Sequence, residues 1–304
     1  MANLISISGK SGSGKSTSVQ YLDPKETFVL AITKKDLPFA GSLGDYETLN
    51  IKENTGNHYT THKSSSIIKI LNYINKKRKE IKNIVIDDIQ YVMSKQAMAR
   101  ASEKNFDKHT EIASDYNVII ETALGLRDDL FIFTLTHIDE ERDREGNLIN
   151  AKIKTLGKML DNVVVIDGLY TWNLFTAKLI DSDDEGNDVT YYAFQTNDPT
   201  GKTTCKSPDG AFEDLYIPNS LQLVKDAVIE YKTRKRERVQ PLPIPKSLNR
   251  KTRGVVIEDK KVKSEDDEFE EETSSKPIIN GEDDDLDIEE KPLENKEEEE
   301  EDEL

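Results

Sequence analysis

The chain has 304 residues, with 59 Asp or Glu against 42 Lys or Arg, a formal net charge of −17 and one cysteine, Cys205. A single cysteine excludes an internal disulfide framework and suits a reducing compartment, and no apolar run approaches the roughly 20 residues of a membrane span. The charge is unevenly spread: residues 255–304 hold 24 acidic and 6 basic residues, whereas 232–254 hold 9 basic and 1 acidic. The expectation is a mildly acidic globular body over 1–235, a basic Pro-containing linker over 236–254 and a disordered acidic tail over 255–304.

In chain order, Leu4–Ser8 is a short β-prone run, and it leads into Gly-Lys-Ser-Gly-Ser-Gly-Lys-Ser-Thr, residues 9–17. This fits G-x-x-x-x-G-K-[ST], and the following Ser16–Leu22 can carry a helix until Pro24. Strand, glycine-rich turn and helix form the context of a phosphate-binding loop. Gly9, Gly12 and Gly14 let backbone N–H groups turn inward, and the helix adds its positive N-terminal end. Lys15 is expected to reach the β- and γ-phosphates, and Ser16 to ligate Mg²⁺, with Thr17 completing the phosphate-binding set. ATP and Mg²⁺ are the implied cofactors.

Thr27–Ile32 is a second strand candidate, 33–62 reads as irregular, and Ser64–Glu80 as a helix whose apolar face is Ile67, Ile68, Ile70, Leu71 and Ile74. Asn83–Asp88 then ends three β-branched residues in two acids, the form of a Walker B element at the carboxyl end of a buried parallel strand. Asp87 is assigned to Mg²⁺ and Asp88 to orienting the attacking water; two ordinary strand-end caps are the bland alternative. Residues 92–127 read as two helices broken near 105–109. Leu130–His137 is the next strand, with Thr136 and His137 at its carboxyl end where a γ-phosphate sensor would stand.

The stretch 138–158 reads as a charged connection with a turn at 144–147, and Asn162–Ile166 as another strand. The segments 170–180 and 188–196 form an expected hairpin, and its acidic loop lacks the spacing of a calcium site. Leu221–Arg236 is the last helix, with Leu221, Leu223, Val224, Ala227, Val228 and Tyr231 as its buried side. Pro241, Pro243 and Pro245 mark the end of the folded body.

These pieces together resemble the phage RecA-like P-loop ATPases of the "phage nucleotide-binding protein" type, related to ATP-dependent single-strand annealing proteins. The resemblance covers residues 2–232 and rests on residues 9–17, Asn83–Tyr91, Leu135–His137, Lys152–Asp161 and 201–221. It implies an α/β RecA-like core with a mostly parallel central sheet, ATP hydrolysis, assembly into a ring or filament, and action on single-stranded DNA in recombination, annealing or replication. It carries Lys15, Ser16, Asp87 and His137 over as site residues, with Asp88 as the candidate base. One departure is evident: the catalytic Glu usual after the second strand is replaced by Thr33-Lys34-Lys35-Asp36.

Lys154, Lys158, Lys202 and Lys206 are candidates to complete a neighbouring subunit's site, each also readable as an ordinary surface lysine. DNA contacts are expected from 97–117, with Phe106 for stacking, from 138–158, or from the basic run Lys232–Arg253. The acidic tail reads as a solubilising segment or as a docking strip for a single-strand-binding or replication protein. No membrane contact and a cytoplasmic location follow, in the host cell if the chain is phage-encoded. A nucleotide-gated scaffold or loader with weak hydrolysis is the alternative. A small-molecule kinase fits less well, because 138–158 has only Arg142 and Arg144 for a lid, and a transporter-type ATPase is argued against by the lack of any LSGGQ-like run.

Overall fold

The computed structural model describes residues 1–104, 107–156, 164–182 and 186–235. The described residues fall within one unit, Met1–Arg238. Phe106, Lys158, the linker and the acidic tail lie outside the described residues.

The centre is an eight-stranded sheet. Its strands are β1 (Asn3–Ser8), β2 (Thr27–Ala31), β3 (His58–Thr60), β4 (Asn83–Asp87), β5 (Phe131–Thr136), β8 (Trp172–Ser182), β9 (Asp188–Gln195) and β10 (Tyr216–Pro218), in spatial order β10-β9-β8-β1-β5-β4-β2-β3. The pairings from β3 through to β8 are parallel, and only β8–β9 and β9–β10 are antiparallel. This is an α/β fold with a mostly parallel sheet. Pro218 sits in the edge strand, where its missing N–H breaks no ladder.

Every residue of β1, β2, β4 and β5 is buried, because both faces of the parallel half are covered. In β4, Ile84 and Ile86 enter the core beneath α2 (Ser64–Lys77), α3 (Tyr91–Ala99) and α4 (Asp107–Leu124), while Val85 faces α5 (Leu221–Thr233). The α2 stripe is apolar at the expected positions, with Ile67, Ile70, Leu71 and Ile74 buried. Among the described residues no helix is long and apolar enough to cross a membrane.

The helix expected after the glycine-rich loop is a short 3₁₀ helix, Ser16–Tyr21; its Ser- and Thr-rich sequence has low α-helix propensity. Three other local readings need correction. The connection after β5 is an antiparallel ribbon of β6 (Ile138–Arg142) and β7 (Leu148–Ile153). Of the strand expected over 162–166, residues 162 and 163 lie outside the described residues, while Ile166 begins a 3₁₀ turn, Ile166–Leu169, after Val165 at φ 52°. A short α1 (Ser42–Asp45) and β3 also interrupt the stretch read as irregular.

Candidate functional site

The carboxyl ends of β1, β2, β4 and β5 open into a cavity of about 1120 Å³. In an open parallel sheet this is where ligands sit, since strand ends and the loops following them converge there. Residues 9–15 leave β1 as a loop whose Gly9 N–H donates to Thr136 O at 3.0 Å, tying it to the neighbouring strand β5.

Two glycines of the loop have steric reasons. A Cβ on Gly9 would lie 1.7 Å from Thr176 Oγ1 of β8. Gly14 has φ +94°, and a Cβ there would lie 2.1 Å from Asn219 Nδ2 and 3.1 Å from Tyr192 Cδ1. Both conditions require glycine. Gly12 is also in the left-handed region, at φ +67°, but in open space. The loop is braced from the antiparallel side: Thr176 Oγ1 donates to Ser13 Oγ at 2.6 Å, and Asn219 Nδ2 donates to Gly14 O at 3.0 Å.

Lys15 is buried and folded back on its own loop, its Nζ donating to Gly9 O at 2.9 Å and Lys10 O at 2.8 Å. Burial lowers its pKa to about 8, against the pull of Asp88 and Asp87. It therefore remains largely cationic at neutral pH. Ser16 Oγ donates to Asp87 Oδ1 at 2.8 Å, across 71 residues of sequence. Burial pushes the Asp87 carboxyl above the usual carboxylate range, with the Lys35 charge and the Ser16 hydrogen bond pulling it back.

Asp88 follows β4 at φ 62°, a left-handed conformation that Asp tolerates. Its carboxylate accepts from Lys35 Nζ and lies 3.5 Å from His137 Nε2. Burial raises its pKa, but the hydrogen bonds from His137 and Lys35 and the Lys35 charge outweigh that and hold it well below the usual range. A carboxylate so stabilised accepts a proton poorly and orients well. His137 is fixed from two sides, its backbone N–H donating to Gln90 Oε1 at 3.3 Å and its ring edge-on to Tyr91 at 6.0 Å.

The residues singled out from sequence thus converge: Gly12, Gly14, Lys15, Ser16, Thr17, Asp88 and His137 line the same cavity, while Gly9 and Asp87 meet its lining through Lys15 and Ser16. Lys154, Lys202 and Lys206 are not among its lining residues. Sequence reasoning missed Lys35, whose Nζ is 3.2 Å from Asp87 Oδ2. It also missed the far wall, where Tyr21, Tyr191, Tyr192 and Leu223 line the cavity while remaining substantially exposed. Leu223, expected on the buried side of the last helix, is 43% exposed. The available signal was positional for Lys35 alone, just past the carboxyl end of β2, the strand paired with β4.

Mg²⁺ chemistry fits these residues, because a Ser hydroxyl and an Asp carboxylate already meet at hydrogen-bond distance. Among the described residues no group of three or more His, Cys, Asp or Glu could hold an ion. An ion at Asp87 would therefore need phosphate oxygens and water to fill its shell, the usual arrangement for Mg²⁺.

Neither a protein-family description nor a curated protein sequence matches the chain. Among solved structures, the chain is similar to the ATPase DotB of Legionella pneumophila, at 10% identity and a TM-score of 0.27, over 77% of this chain and 53% of that one. The chain thus spans about half the length of that ATPase. A likeness so loose leaves the fold to its own strand order and the site to its own side chains.

Proposed function

We propose that the protein binds a nucleoside triphosphate, ATP, with Mg²⁺ and hydrolyses it as a RecA-like ATPase working on single-stranded DNA in phage recombination, annealing or replication. The nucleotide part is carried by one observation: the Ser16–Asp87 hydrogen bond at the mouth of a glycine-rich loop. Two groups able to ligate Mg²⁺ meet here at hydrogen-bond distance across 71 residues of sequence, the pairing that shared coordination of one Mg²⁺ uses. The RecA-like part is supported by the strand order, in which β5 separates the phosphate-loop strand β1 from the Walker B strand β4. The DNA part rests on the motif resemblance.

In this reading Lys15 leaves the Gly9 and Lys10 carbonyls for the β- and γ-phosphates. Ser16 and Asp87 would hold the metal, which when bound would offset phosphate charge and polarise the transferred phosphoryl group. Asp88, fixed by Lys35, orients the attacking water, and His137 stands where the γ-phosphate would be sensed. Water attacks the γ-phosphorus, the bond to the β–γ bridging oxygen breaks, and the nucleoside diphosphate and inorganic phosphate leave, with the water's proton released to solvent. The exposed Tyr21, Tyr191, Tyr192 and Leu223 provide an apolar, stackable wall for base and ribose. A ring or filament of subunits, trans-acting lysines and tail docking to a single-strand-binding protein belong to the same proposal.

A second reading is a nucleotide-gated scaffold or loader that hydrolyses weakly. The specific observation in its favour is Lys35 pairing with Asp87 and Asp88 on the side of the site where RecA-type enzymes use a Glu. ATP turnover with and without single-stranded DNA, in wild type and Lys15→Ala, separates the two. DNA-stimulated turnover that Lys15→Ala abolishes is the expected outcome. Tight nucleotide binding without turnover favours the scaffold, and ADP formation only with a small-molecule acceptor overturns both.

A further inference from the structure

Asp87 and Asp88 are adjacent carboxylates at the end of one strand, 1% and 5% exposed. Two like charges this close, largely out of water, repel one another, and each is costly without a counter-charge. Ser16 Oγ meets Asp87 Oδ1 and His137 Nε2 meets Asp88 Oδ1. Lys35 touches both acids, through Oδ2 of each. The chain three residues before it is fixed beside β4, because Ile32 N donates to Asp87 O at 3.1 Å and Lys95 Nζ donates to Ile32 O at 2.9 Å, and Lys35 N donates to Thr33 O at 3.0 Å. The Lys35 side chain is 40% exposed and lines the cavity with Lys15. A tethered cation therefore lies against the carboxylate to which the nucleotide's Mg²⁺ would be held.

We propose that Lys35 is a built-in counter-cation that neutralises the Asp87–Asp88 pair in the empty site. Mg²⁺ arriving with the triphosphate displaces it from Asp87, and it stays on Asp88, turned to the phosphate end of the cavity. The inference rests on the nucleotide reading above and adds a rule of entry to it. A free divalent ion has Ser16 and Asp87 as its protein ligands and must expel an ammonium to use them. An ion arriving with phosphate oxygens in its shell brings the missing ligands along. The site then admits the metal–nucleotide complex and refuses the metal alone. Lys35 acts through Asp87 and Asp88 as a positioning residue, in the place where an acid would act directly.

The test is Mn²⁺ binding to the nucleotide-free full chain, read by electron paramagnetic resonance, for wild type, Lys35→Gln and Lys35→Arg. Lys35→Gln should bind free Mn²⁺ at least about tenfold more tightly, because a competing charge at contact distance has been removed. Its melting temperature should fall in metal-free buffer and recover with millimolar Mg²⁺, while wild type and Lys35→Arg should not respond to Mg²⁺ alone. A merely structural lysine would lower the melting temperature without creating metal dependence. Equal Mn²⁺ affinity in wild type and Lys35→Gln overturns the proposal.

Should Lys35→Gln fail to fold, the wild type still decides. The Lys35 ammonium resonance, assigned by its absence in Lys35→Arg, should shift on adding Mg²⁺ with a non-hydrolysable triphosphate and stay put on adding Mg²⁺ alone. A resonance unmoved while nucleotide is bound overturns the displacement. Failure of the wild type to bind any nucleotide overturns the function proposed above, and because the Mn²⁺ comparison uses no nucleotide, the two failures are distinguishable.

Discussion

The two halves of the central sheet meet the same cavity by different means. β1, β2, β4 and β5 are buried along their whole length, so they can present chemistry only where they end. At those ends stand the phosphate loop, Lys35, Asp87, Asp88 and His137. The antiparallel half leaves its surface open: β9 buries only Ala193 and Phe194, and Tyr191 and Tyr192 are about half exposed. It contributes braces, Thr176 and Asn219, and an aromatic wall. The buried half fixes charges at its strand ends, and the open half offers contact area that can vary without disturbing the core. Damage to the first half should therefore appear as lost stability, and damage to the second as lost recognition.

The largest effect should come from the parallel core. Phe133 on β5 is fully buried, and Phe133→Ala should cost about 3–5 kcal/mol, as lost transfer free energy plus a cavity. Denaturant melts with an unchanged m-value would measure it. A loss no larger than that of an exposed tyrosine would break the comparison.

The same contrast explains what could be read from the sequence. Ile84-Val85-Ile86 and Phe131–Leu135 were legible as strands because burial on both faces makes parallel strands continuously apolar. The glycine-rich loop and the Asp87–Asp88 pair were legible as candidate site residues because their sequence signatures are local. The β6–β7 ribbon was not: its outer residues are charged and it buries Ala151 and Ile153 but little else, so alternation is too weak to see. Nor were Lys35, Asn219 and Tyr192 as site residues, since each acquires its role by folding; Asn219 meets Gly14 across 205 residues.

The junction of the two halves is the next place to probe. Gly14→Ala combines a left-handed φ of +94° with a collision against Asn219, and should cost about 2 kcal/mol and weaken nucleotide binding correspondingly. Asn219→Ala in the same chain removes the collision but not the backbone strain. The double variant should therefore recover part of the loss by calorimetry, and full recovery would show that strain contributes nothing.

A smaller effect, of about tenfold per pH unit, belongs to Lys15. Its pKa is about 8, below the ordinary lysine value of 10.5, and phosphate binding requires the cation. Below pH 8 the lysine is already protonated and affinity should be flat. Above it a proton must be taken up on binding, so affinity should fall by about tenfold per unit until the bound-state pKa is reached. Stability of the empty protein should move oppositely, rising between pH 8 and 10.5, because there the unfolded chain binds more protons than the folded one. Titration calorimetry at pH 7 and 9 reads the first, and thermal melts read the second. Lys15→Ala should flatten both.

The smallest effect is the most diagnostic of the open half. Tyr192 abuts Gly14, so its ring borders the phosphate loop directly, and Lys178 Nζ lies 5.3 Å from its centroid. Because Tyr192 is 46% exposed, Tyr192→Ala should change stability by no more than about 0.5 kcal/mol. If the ring is part of the base-binding wall, the same change should weaken ATP binding by about 1 kcal/mol, roughly fivefold, the scale of one aromatic stacking contact. Tripolyphosphate, which has no base to stack, should bind wild type and Tyr192→Ala alike. Equal losses for ATP and tripolyphosphate would assign Tyr192 to holding the loop rather than the base. The antiparallel half would then serve only as a brace for the parallel one.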